Sequence, residues 1–67
     1  MRDIDPEILT AEEAAKLLRR STRTLGQWRR TGEGPAWLRI GRTGVGYRRA
    51  AIDRWLRSQE HGGNRAA

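Results

Sequence analysis

The chain has 67 residues, no cysteine and one histidine, with 36% hydrophobic and 33% charged residues. That is room for one small domain, and without cysteine neither a disulfide framework nor a zinc-finger ligand set can form, so apolar burial must hold the fold. The formal charge is +6, distributed unevenly: Arg2 stands against Asp3, Asp5, Glu7, Glu12 and Glu13 for a net −4 over residues 1–14, while Lys16 and eleven arginines stand against Glu33 and Asp53 for a net +10 over residues 15–57. A body so basic repels itself unless an anion faces it, which points to a polyanionic partner, nucleic acid first.

Residues 1–8 read as an acidic N-terminal arm. A secretory signal would be basic and then apolar, and no run is long enough to cross a membrane, so a cytoplasmic protein is expected. Thr10 and Glu13 have the spacing of a capping box, with Leu9 and Ala14 as its staple pair, and Ala14, Leu17 and Leu18 form the apolar stripe of a first helix ending near Arg19 or Arg20. Ser21 caps a second helix over Thr22 to Thr31, closed by Gly32. Leu25 and Trp28 mark its inner face, and Arg23, Gln27 and Arg30 share the opposite one. Gly26 flanks that polar face, where a glycine costs up to about 1 kcal/mol against alanine; it is either an allowance for close approach or a tolerated defect.

Gly32-Glu33-Gly34-Pro35 interrupts regular structure. Trp37–Ile40 and Val45–Arg48 then alternate as two short strands, joined by Gly41-Arg42-Thr43-Gly44 into a hairpin with a basic tip. Ile52, Trp55 and Leu56 carry a third helix over Ala51 to Arg57, with Ala50 in the place of a stronger cap, and residues 58–67 read as a flexible tail.

Two helices joined by a tight turn, then a basic hairpin, satisfy a helix-turn-helix plan with a wing. The run Leu9-Thr10, Glu13-Ala14-Ala15, Leu17-Leu18, Ser21, Thr24-Leu25, Trp28-Arg29, Gly32, Gly34-Pro35, Arg39–Arg42, Tyr47-Arg48, Ile52 and Trp55-Leu56 resembles the small winged helix-turn-helix proteins of the excisionase and AlpA-like group, which is related to the MerR DNA-binding domain. The resemblance spans residues 9–57 and departs from the usual pattern at Ala50, Gly44 and Gly46. It implies an α+β fold and a DNA-binding protein of a phage or mobile element. Such proteins act as recombination directionality factors beside a tyrosine or serine integrase, or as small transcriptional regulators of a prophage or integrase operon. MerR regulators sense effectors through a long C-terminal dimerisation helix; none follows the third helix here, so effector sensing is not expected.

On this plan the second helix enters the major groove, where Arg23 can bond bidentately to guanine and Gln27 to adenine. Ser21, Thr22 and Thr24 at the helix start, with Arg30, Arg39 and Arg48, are candidates for the DNA backbone, and Arg42 with Thr43 at the hairpin tip for the minor groove. Without the winged context Arg23 and Gln27 would read as a solvated helix face, and with it they read as base contacts; Ser21 is first a cap. Trp28 and Trp55 read as core; Trp37 and Tyr47 are open between packing and base stacking, the mark of an RNA or single-strand binder. No cofactor or metal is expected, nor is catalysis, since His61 and the acids Asp3, Asp5 and Glu7 lie outside any convergent pocket. The expected partners are duplex DNA, further copies of the chain arrayed on it, and an integrase. A basic adaptor that binds RNA or protein is the alternative from another class.

Overall fold

A computed structural model describes residues 7–62 of the chain. The acidic segment Met1–Pro6 and the end of the tail, 63–67, lie outside the described residues. Within them the order is β1 (Ile8–Thr10), α1 (Ala11–Leu18), α2 (Thr22–Thr31), β2 (Leu38–Ile40), β3 (Gly44–Arg48) and α3 (Arg49–Ser58). The strands form one antiparallel sheet in the order β1-β3-β2. This is the small α+β architecture of a winged helix-turn-helix, as the sequence predicts.

The capping box is made on both sides: the Glu13 amide donates to Thr10 Oγ1 at 3.0 Å, and the Thr10 amide donates to Glu13 Oε1 at 2.9 Å. Helix α1 ends in a left-handed residue, Arg19 at φ 59°, whose neighbour Arg20 donates its amide to the Ala15 carbonyl at 2.9 Å. This closes the helix carbonyls as a glycine would, at the steric cost of a side chain at positive φ. Ser21 Oγ caps α2 by accepting from the Thr24 amide at 3.1 Å, and Gly32 at φ 84° closes it, its amide and that of Glu33 both donating to the Trp28 carbonyl.

The buried apolar core consists of Ala14, Ala15, Leu25, Tyr47 and Ile52, at least one from each helix and one from the central strand. Leu9, Leu18, Trp28, Trp37 and Val45 pack around them. Trp28 and Trp55 are half-buried with ring centroids 5.3 Å apart at 45°, which joins α2 to α3. Their roles are structural, as their apolar stripes indicate.

Several expectations need correction. Ile8, placed at the end of the arm, is the first residue of β1 and pairs with Arg48, while Leu9 pairs with Tyr47. Three residues are too few for an alternating pattern to show, and their pairing partner lies far along the chain. Leu17, at 41% exposed, and Leu56, at 39%, are turned outward, while Ala14 and Ala15, small enough to allow close packing, are buried on α1. Strand β2 begins at Leu38 rather than Trp37, and Gly44 belongs to β3, opposite Ile40, so the turn is Gly41–Thr43 alone. Helix α3 starts at Arg49 and runs to Ser58, with Arg48 as a cap residue whose side chain makes no capping bond. Ala50 therefore lies inside the helix, and the Arg49 amide is satisfied by the Glu7 carbonyl. The strand passes directly into the helix, so there is no loop in which a Ser or Asp would be needed.

Three glycines are fixed by close approach; at Gly44 an added Cβ would lie 2.5 Å from the Ile40 carbonyl oxygen across the hairpin. At Gly34, φ is 78° and an added Cβ would lie 2.5 Å from Trp28 Cε3, so the backbone lies flat on the indole. At Gly46, an added Cβ would meet Ile40 and Ile8 at 3.1 and 3.2 Å, and its absence lets these residues of the two edge strands close over β3.

Gly34→Ala should thus destabilise by more than about 1 kcal/mol, from positive φ and the clash with Trp28. Leu25→Ala should cost about 2 to 5 kcal/mol by opening a cavity, comparable with the whole stability of so small a domain. Urea denaturation of both variants checks this; a Leu25→Ala midpoint near the parent's would mean that the core is not built on α2.

Candidate nucleic-acid interface

Side chains of α2 and the β2 strand meet across an open hollow lined by Arg23, Gly26, Gln27, Arg29, Arg30, Trp37 and Arg39. Four of these are candidates from the sequence: Arg23, Gln27 and Arg30 project from one face of α2, and Arg39 comes from the hairpin. All four are exposed. Among the described residues, no carboxylate lies within 4 Å of any of the four arginines in the hollow; the ion pair at that limit is Arg49 with Asp53, on α3. Among the described residues the hollow is a concentration of positive charge without a counter-ion, which favours an anionic ligand.

The remaining candidates lie elsewhere. Ser21 and Thr24 are tied to each other, the Ser21 hydroxyl donating to Thr24 Oγ1 at 3.1 Å while accepting the Thr24 amide, so their oxygens serve the start of α2 first. Thr22 beside them is exposed. Arg42 and Thr43 are exposed in the hairpin turn. Arg48 is exposed at the β3–α3 junction, one residue on from the buried Tyr47, and so on the opposite face of the sheet.

Three residues in or beneath the hollow are absent from the sequence-based set or left open by it. Trp37 is half-buried beneath two guanidinium groups, with Arg29 Cζ 5.7 Å and Arg39 Cζ 5.4 Å from its ring centroid. Its ring is a platform for these arginines. Tyr47 is 1% exposed and is core, and its hydroxyl accepts a hydrogen bond from Arg29 Nη1 at 2.7 Å. Arg29 is the residue that sequence reasoning passed over, because helical projection puts Arg30 and not Arg29 on the polar face. Only the tertiary contact with Tyr47 distinguishes it.

A model of the helix-turn-helix domain family matches residues 8–60. The chain belongs to this family. The family includes AlpA-like and excisionase-like proteins, and DNA binding is the activity that goes with the helix-turn-helix. No curated protein matches the chain. In helix-turn-helix terms α2 is the recognition helix, Arg19–Ser21 the turn, and the β2–β3 hairpin the wing. The hollow lies where recognition helix and wing meet. Among the described residues no helix is long and apolar enough to cross a membrane.

Gly26 lines the hollow, and an added Cβ would meet only Arg29 Nη2 at 3.5 Å, an ordinary contact. Packing within the domain therefore does not demand a glycine here. Gly26→Ala should stabilise the recognition helix by about 0.5 to 1 kcal/mol, read as a higher urea midpoint. If the stabilised variant also binds duplex DNA more weakly, the approach of DNA is what requires the glycine; unchanged binding identifies a tolerated defect.

Proposed function

We propose that this protein binds duplex DNA sequence-specifically and bends it as an excisionase, a recombination directionality factor that assists an integrase in excising a phage or mobile element. The observation that carries the binding reading is the shared hollow, in which Arg23, Gln27 and Arg30 of the recognition helix stand beside Arg39 of the wing with no carboxylate within 4 Å of these arginines among the described residues. In this reading Arg23 and Gln27 read base edges in the major groove. Arg30, Arg39 and Arg48 hold phosphates, with Ser21, Thr22 and Thr24 near the backbone at the helix start, and Arg42 with Thr43 enters the adjacent minor groove. The chemistry is binding, without a catalytic step, and the setting is the bacterial cytoplasm.

One recognition helix and one short wing cover few base pairs, and modules of this size gain affinity by acting in numbers. The net −4 of residues 1–14 against the net +10 of residues 15–57 supports a weak head-to-tail contact between copies aligned on DNA. Such an array wraps or bends the duplex through repeated contacts, which brings integrase-bound arms together.

Selection from a random duplex library should yield a preferred site. On that site Arg23→Ala and Gln27→Ala should each cost about 1 to 3 kcal/mol and relax base preference, whereas Arg42→Ala should weaken binding with little change in preference. Folded variants with the parent's preference would show that α2 is not the reader. Circular-permutation gels and footprints on the selected site should reveal bent DNA under adjacent protomers. A single protected half-site on unbent DNA would defeat the excisionase reading and leave a small transcriptional regulator.

A further inference from the structure

The contact between Arg29 and Tyr47 does more than satisfy a buried hydroxyl. Tyr47 is 1% exposed and its oxygen needs one hydrogen-bond partner, which any neutral donor of suitable length can supply. The chain instead uses a guanidinium, half-buried, beside a second guanidinium on the same indole. Attraction to the ring offsets part of the repulsion between two such cations. Among the described residues no carboxylate lies within 4 Å of either to offset the rest.

The geometry of Arg29 is restrained from two sides. Nη1 is held by the Tyr47 hydroxyl at 2.7 Å and the group lies over Trp37; Nη2 passes close to Gly26, where no side chain stands in the way. A guanidinium has five N–H donors, and the bond to Tyr47 uses one. The others belong to a group that lines the open hollow between recognition helix and wing. A cation fixed in direction, with donors to spare and no counter-ion among the described residues, suits an external anion with several oxygens, and phosphate is a ligand that arginine forks match.

We propose that Arg29 and Arg39, gathered on Trp37, form a clamp on the phosphate backbone of duplex DNA at the junction of recognition helix and wing, and that Tyr47 is the positioning residue which aims Arg29. The clamp sets the depth at which α2 sits in the groove, because it ties the backbone to both the helix and the hairpin through one ring. It rests on the reading of this protein as a duplex-DNA binder.

The test uses the full chain and short random-sequence duplex DNA over a series of salt concentrations, with thermal unfolding run in parallel. Arg29→Gln should lower the slope of log affinity against log salt by about 0.9, the signature of one fewer phosphate neutralised. Tyr47→Phe keeps the ring and removes the hydroxyl; it should weaken binding severalfold while the domain stays cooperatively folded. In the Arg29→Gln background, Tyr47→Phe should have no further effect on affinity, since its influence passes through Arg29. If Arg29→Gln alone fails to fold, the double variant, which leaves no buried hydroxyl unpaired, is compared with Tyr47→Phe for the same drop in slope. A salt slope that stays at the parent's value, or an equal effect of Tyr47→Phe in both backgrounds, overturns the clamp and makes the pair purely structural. A parent that fails to bind the duplex but binds single-stranded DNA or RNA of the same sequence overturns the duplex reading itself, and the clamp with it.

Discussion

Tyr47 is where the two halves of this molecule are joined. It is the largest side chain buried in the core, it sits on the central strand, and its hydroxyl bonds to the recognition helix. The rest of the buried apolar core is two alanines, a leucine and an isoleucine, so much of the volume that α1, α2 and α3 close upon is this one ring. A buried phenol cannot be left without a hydrogen bond, and that requirement fixes the relation between α2 and the sheet. Leu25 and the Trp28–Trp55 contact hold the helix down; the bond from Arg29 sets where it stands relative to the wing.

The chain therefore uses the same residues for stability and for charge presentation. Arginine is suited to this because its stem packs, its plane stacks on aromatic rings, and its head keeps its charge and donors. Trp37 packs against the core and also lies within reach of the Arg29 and Arg39 guanidinium groups. The net +10 of residues 15–57 destabilises the isolated domain through self-repulsion, and a bound polyanion relieves it. Stability and ligand binding are linked in this fold through mass action.

What the sequence made legible was local. The capping box of Thr10 and Glu13, the Ser21 cap, the Gly32 stop and the helix periodicities each lie within a few residues of the element they define, and α2 matches its expected bounds from end to end. What was hidden depends on partners far away. Strand β1 is too short to show a period and shares Thr10 with the cap of α1. The start of α3 carries no side-chain cap because the strand runs directly into the helix. Arg29 has nothing in its neighbourhood that separates it from Arg30; its bond to Tyr47 crosses from the recognition helix to the sheet. The face of α2 was readable, and with it Arg23, Gln27 and Arg30. The ring on which recognition helix and wing converge was not.

Strand β3 is paired on both sides, to β1 near the start of the chain and to β2 just before it, and this has a consequence for synthesis. Both edges of the sheet wait for the same five residues, Gly44–Arg48, and so does the ring that completes the core. A nascent chain that has released both helices of the helix-turn-helix still lacks the strand against which they pack, and pairing Ile8 with Arg48 closes a loop over most of the domain. The charged face of α2 thus acquires its fixed orientation late, when nearly the whole domain has left the ribosome. Until then its arginines lack the sheet and the Tyr47 hydroxyl that set their direction.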